Sequence, residues 1–364
     1  MTYLNFQSVR DLSPTLQSAP ATIPLLEYAS CYWGEHAKKE ITENVTILAL
    51  RLLNKFNEHI SAQLISLRYN RKRRFGPGFY SKKGPIGFTG LHGAAFLGVV
   101  EILAAVLEMT KYDVNGRDNA SCTPLIWAAV RGHEEVVKML LERGDANPDL
   151  ADDNWNQTPL MWAAKLGHEG VVKVIVEREN VNPDKASPVY DPAALYLAAT
   201  YGHEGVVKML LEREDVNPNK IPIGYHCTPL SVAAMSGKDR VVKMLLERED
   251  VNPNIADTDD GHTPLSNAAW RGHEGIVKVL LDRNDIRIDI QDHMNQTPLS
   301  LALSNRNHEI ARMISERAAI KSDTADPGNQ ATAANPIGHL LPHQRAPMRS
   351  RGIGLRRLFS RLYR

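Results

Sequence analysis

Four His-Glu pairs, His133-Glu134, His168-Glu169, His203-Glu204 and His273-Glu274, are the residues here whose types most invite chemistry. An imidazole beside a carboxylate suits proton transfer or metal ligation. Their placement argues against both: they sit at one fixed place in stretches of similar text, and a catalytic pair is needed once, whereas a structural one is needed in every copy. The three cysteines, Cys31, Cys122 and Cys227, form neither a Cys-x-x-Cys nor a Cys/His metal spacing. Cys122 and Cys227 hold the same place in two copies, as bystanders rather than nucleophiles. There is no His-Glu-x-x-His and no Gly-x-Ser-x-Gly. The glycine-rich GPGFYSKKG at 76–84 runs into Pro85 instead of ending in Gly-Lys-Ser/Thr, and no strand precedes it. The Asn-x-Ser/Thr sequons are accidents of the copied text. The chain is therefore expected to be no enzyme and to hold no metal and no cofactor.

The elements that would position any site come next. The 364 residues fit two ordinary domains or one elongated one, and 43 basic against 42 acidic side chains leave a formal charge of +1. That balance excludes a surface built throughout for nucleic acid, and none is expected as a partner. Three cysteines are too few for a disulfide framework, so a reducing compartment is expected. The opening MTYLNFQSVRDLSPT lacks a basic end followed by an apolar core, and the longest apolar run, 45–53, is far short of the ~20 residues that span a bilayer. A cytoplasmic location is expected, with the nucleus as the alternative.

The chain repeats itself. A threonine or its stand-in opens a similar stretch at 89, 123, 158, 193, 228, 263 and 297, in steps of 34 or 35 residues. Thr followed by Pro predicts a helix start, the hydroxyl capping the helix and Pro at its first turn losing nothing by lacking an N–H. Gly132, Gly167, Gly202, Gly237 and Gly272 are expected to stop that helix in the left-handed conformation. A second helix is predicted through HEGVVKMLLE, with Val136, Val137, Leu140 and Leu141 as its apolar stripe. A polar connection rich in Asn, Pro and Gly then leads to the next copy.

These units resemble the ankyrin repeat, on the Thr-Pro-Leu-x-x-Ala-Ala opening and the Gly-His pair between helices, over residues 85–318. The resemblance implies an all-α solenoid of about seven repeats that binds proteins. Departures are clear. The His after Thr-Pro-Leu survives only as His92, replaced elsewhere by Ile126, Met161, Tyr196, Ser231, Ser266 and Ser300. Ala193-Ala194 stands for Thr-Pro, Arg306 for the turn glycine, and Asn267 where other units have Trp127, Trp162 or Leu197. Four Asn-Pro connections predict longer fingers.

Where the repeat leaves identity free, function can be written. In the ankyrin family, the residues just before the turn glycine and those at the finger tips line the partner-binding groove. By that resemblance the candidate protein-binding residues are Arg131, Trp155, Lys165, Leu166, Tyr190, Tyr201, Tyr225, Met235, Trp270 and Arg271. Aromatics are the residues expected to anchor an interface. Trp127 and Trp162 are expected in the core between repeats.

The flanks differ in kind. Within residues 1–70, apolar positions from Ile41 to Leu67 recur at gaps of three and four, which predicts an amphipathic helix or helix pair capping the first repeat. The preceding PLLEYASCYWGEHAKKE (24–40) resembles a segment of fungal NACHT–ankyrin proteins, NLR-like molecules in which an NTPase lies upstream of a repeat sensor. That resemblance implies the alternative that the chain is the sensor fragment of such a protein. Residues 71–84 read as a basic linker. Residues 319–364 read as a disordered tail holding seven arginines from Leu340 onward. Three readings of 345–364 stay open: solvated tail, weak contact with an anionic membrane or acidic partner, and nuclear targeting or nucleic acid.

Overall fold

The computed structural model describes residues 89–108, 112–118, 121–153, 155–185 and 193–324. The expected cap, the 24–40 segment, the basic linker, the arginine-rich tail and Tyr190 lie outside them. Among the described residues there are fourteen helices and no strand. They come in seven pairs: α1 Gly90–Leu97 and α2 Val100–Glu108, α3 Pro124–Arg131 and α4 Glu134–Glu142, α5 Pro159–Leu166 and α6 Glu169–Val176, α7 Ala194–Tyr201 and α8 Glu204–Leu211, α9 Pro229–Met235 and α10 Asp239–Leu246, α11 Pro264–Arg271 and α12 Glu274–Leu281, α13 Pro298–Ser304 and α14 His308–Thr324. The described residues up to Ala319 belong to one compact unit; of the second, which starts at Ile320, the described part is the end of α14. That helix runs past the expected end of the repeats at 318, since no glycine or proline interrupts the chain before Pro327.

The odd-numbered helices pack one on the next from α1 to α13, and the even-numbered ones form a second row from α2 to α12. The two rows bury their sequences differently. An odd helix is flanked by two others and by its own partner, so α3 is buried from Pro124 through Val130. A helix that is apolar all round belongs in such a place. An even helix buries one stripe, as α4 does with Val136, Val137, Leu140 and Leu141. The paired alanines at the middle of the odd helices, such as Ala128 and Ala129, are fully buried and let neighbouring helices approach closely.

Each start and stop has its cause in the sequence. The Thr123 hydroxyl accepts from the Ile126 N–H at 3.2 Å, and Thr158, Thr228, Thr263 and Thr297 cap in the same way. Ala193 provides no such cap to α7, as its side chain dictates. All five expected glycines have positive φ, although α9 ends one residue sooner, at Met235. Arg306 adopts the same conformation in the last repeat, at φ 62°.

Candidate functional site

The His-Glu pairs are consumed by the fold. His133 Nε2 donates to the Phe96 carbonyl (3.0 Å), His168 to Val130 (3.2 Å), His203 to Lys165 (3.0 Å) and His273 to Met235 (3.3 Å). Each imidazole thus clamps its repeat to the last turn of the preceding odd helix. The ring also lies over the preceding turn glycine: a Cβ on Gly167 would stand 2.5 Å from the His203 ring. In the last repeat Asn307 takes over, its Nδ2 donating to the Ala269 carbonyl at 2.8 Å.

A second tie between neighbouring repeats was not read from the sequence. Arg143, Arg213, Arg248 and Arg283 each grip an aspartate two residues on and donate to a carbonyl at the end of the preceding even helix, Leu107, Val176, Leu211 and Leu246 in turn. The recurring Arg-x-Asp spacing could have revealed it. The Asn-Pro connections form a ladder as well: Asn252 N–H donates to Asn219 Oδ1 (2.8 Å), and Asn219 Nδ2 to the Asp250 carbonyl (2.6 Å).

The fingers are organised by aspartates that sequence reasoning also missed. Asp152 is buried and accepts from Trp162 Nε1 (2.8 Å) and the Trp155 N–H (2.7 Å). Asp118 accepts from the Cys122 N–H (2.9 Å) and Trp127 Nε1 (2.8 Å), and Asp292 from the N–H groups of Met294 and Gln296 (2.8 and 2.7 Å). Asp257 does the same for Asp260 and Gly261, and Asn267 Nδ2 reaches its other oxygen at 3.4 Å. Asn267, odd in the sequence, thus replaces the indole N–H of Trp127 and Trp162. The signal was an acid five or six residues before Thr123, Thr158, Thr263 and Thr297. Both tryptophans are buried, as expected of core between repeats.

Cys122 and Cys227 are no nucleophiles by environment. Both are buried; burial drives the Cys227 thiol up to about 12 and raises Cys122 well above the ordinary range. Among the described residues no group of three or more His, Cys, Asp or Glu could hold a metal ion.

The candidate groove residues fall into three groups. Lys165, Leu166, Tyr201 and Met235 sit half-buried at the ends of odd helices, while Arg131, Trp270 and Arg271 are exposed there. On the fingers, Trp155 is half-buried and Tyr225 packs on Tyr196 with ring centroids 4.5 Å apart. The cations lie on aromatic faces: Arg131 over Phe96 (4.9 Å), Arg271 over Trp270 (4.3 Å), and Lys165 beside both Trp155 (5.0 Å) and Trp162 (4.7 Å). Desolvation brings the Lys165 ammonium down to about 8, against the opposing pull of Asp152, and lowers Arg271 from its ordinary value. Val130, the neighbour of Arg131, is buried and offers the groove nothing.

This is a scaffold of stacked helical pairs. The family profile described as ankyrin repeats matches residues 62–152, 91–187, 145–221 and 230–326, more than half of the chain. The chain belongs to the ankyrin-repeat family. Among solved structures it is similar to the human ASB11 ankyrin repeat domain, with 25% sequence identity and a TM-score of 0.51 over 62% of this chain and 96% of that one. It shares its fold with the ankyrin repeat domain of Bcl-3, a member of the IkappaB protein family, at 23% identity and a TM-score of 0.54 over 62% of this chain and 99% of that one. Among the described residues no helix is long and apolar enough to cross a membrane.

Proposed function

We propose that this chain is a non-enzymatic binding module that holds a protein partner in the groove between its fingers and the ends of its odd helices. The observation that carries this is a contrast. The recurring polar residues are spent on tying repeats together, whereas Tyr201, Met235 and Trp270, at positions the repeat leaves free, keep apolar surface open to solvent. Exposed aromatic surface on a rigid scaffold is where binding energy concentrates. Arg131, Trp155, Lys165, Leu166, Tyr190, Tyr225 and Arg271 complete the set. Replacing Tyr201 and Trp270 together with Ala is expected to abolish partner capture in a pull-down while the thermal midpoint falls little. A large drop in the midpoint instead would make them core residues and end this reading.

The sensor-arm alternative keeps the same groove and differs in what it controls; it rests on the 24–40 resemblance alone. A phosphate-binding loop in the genomic sequence upstream of Met1 would favour it over a free-standing adaptor. A cytoplasmic location fits either.

A further inference from the structure

The groove is not uniform along its length, and the difference describes the partner. Lys165 at the end of α5 and Arg271 at the end of α11 are cations without an ion pair: among the described residues neither has a carboxylate within salt-bridge distance, and both rest on indole faces. Asp152, below Lys165, holds the Trp162 indole and the Trp155 N–H and attracts the ammonium from beyond ion-pair distance. On the finger before α11, Asp257 accepts from backbone N–H groups and Asp259 pairs with His226 at 2.9 Å, while Asp260 is exposed. Between the two cations come uncharged surfaces, Tyr201 on α7, Tyr225 on the next finger and Met235 on α9. A cation that lies on an indole face with no ion pair of its own keeps donors to offer a partner's carboxylate, and a charge-assisted hydrogen bond to one is among the stronger kinds.

Lys165 and Arg271 are three repeat steps apart. Helices pack ~8–10 Å from one another, so the cations stand ~24–30 Å apart, the length of ~7–9 residues of extended chain at ~3.3 Å each. We propose that the groove takes an extended protein segment whose acidic residues, about seven to nine positions apart, bracket an apolar or aromatic centre. The carboxylates meet Lys165 and Arg271, and the centre lies on Tyr201, Tyr225 and Met235. This rests on the groove being the binding surface. A nucleic acid suits it poorly: residues 85–318 carry 23 basic and 34 acidic side chains, a net of −11, so a continuous polyanion would meet repulsion beyond the two positive spots.

The test is a selection of random displayed decapeptides on the full-length protein, run in parallel on wild type, Lys165→Glu/Arg271→Glu and Tyr201→Ala/Trp270→Ala. Circular dichroism checks each fold, and Lys165→Met/Arg271→Met serves if the charge-inverted protein does not fold. The wild-type pool is expected to carry Asp or Glu towards both ends and apolar residues between. A fluorescein-labelled peptide from it should lose at least tenfold in affinity on the charge-inverted protein, and its lysine-ended counterpart should gain there; the methionine variant should show the loss without the gain. A pool without acidic bias that still fails on Tyr201→Ala/Trp270→Ala overturns this proposal and leaves the groove reading standing. Peptides that bind that double variant as well as wild type overturn both. An empty selection, or retention of a labelled thymidine decamer that the charge inversion abolishes, overturns the proposal too.

Discussion

His92 shows what a single buried side chain asks of its surroundings. Its Nδ1 accepts from the Thr89 N–H at 3.1 Å and contacts the Thr89 hydroxyl, while Nε2 donates to the carbonyls of Gly116 (3.0 Å) and Cys122 (3.1 Å). Both nitrogens are thereby used in the neutral ring, and burial takes the pKa from 6.5 to about 4, against the opposing pull of those carbonyls and Asp113. The unfolded chain takes up the proton first. The contribution of His92 is therefore fully present above pH 6.5, is lost as pH falls from 6.5 towards 4, and is constant below that. At 1.36 kcal/mol per unit the loss totals roughly 3 kcal/mol. Thermal midpoints measured across this window should fall more steeply for wild type than for His92→Gln; parallel curves would contradict the assignment. Asp145, Asp215 and Asp250, each lowered by a hydrogen bond from its arginine, lose their share only below the ordinary carboxylate range, outside this window.

At the scale of the element, the turn between the paired helices imposes one backbone conformation on every repeat. Gly202 holds φ 80°, and a Cβ there would stand 2.9 Å from Lys238 Cδ. Gly202→Val should lose more than ~1 kcal/mol of stability, since a β-branched residue resists the left-handed region. Arg306 already bears that strain at φ 62°. Arg306→Gly should accordingly gain roughly 0.5–1 kcal/mol, the relief exceeding the added freedom of the unfolded chain. Chemical denaturation of the two variants reads both signs. A neutral Gly202→Val would mean that the turn can be built without the left-handed residue.

For the whole molecule, stability comes from ties between neighbours. Histidine to the preceding helix end, arginine to the preceding even helix and asparagine to the preceding finger all reach one repeat back. In such an array each repeat is held by its neighbours, and a segment well separated from the last repeat adds little to folding. Deleting residues 340–364 is therefore expected to leave the thermal midpoint unchanged. It should also abolish any sedimentation with phosphatidylserine vesicles, because seven arginines leave with it. Vesicle binding that survives the deletion would assign the contact elsewhere.

The period, the helix starts and stops and the two kinds of helix were legible in the residues alone, because capping, the left-handed turn and the apolar stripe are local requirements repeated seven times. The groove positions could be named only through family resemblance. Which of them keep their surface open, and that Lys165 and Arg271 rest on indole faces without an ion pair, was decided by tertiary packing. Asp152 and Asn267 make the same point: an acid in a loop and an asparagine in a helix look incidental until the chain brings a backbone N–H, an indole or an amide to the carboxylate. Those partners are set by how a finger folds against its own helix, whereas the histidine, arginine and asparagine ties follow from how one repeat seats on the next, and no local pattern encodes either directly.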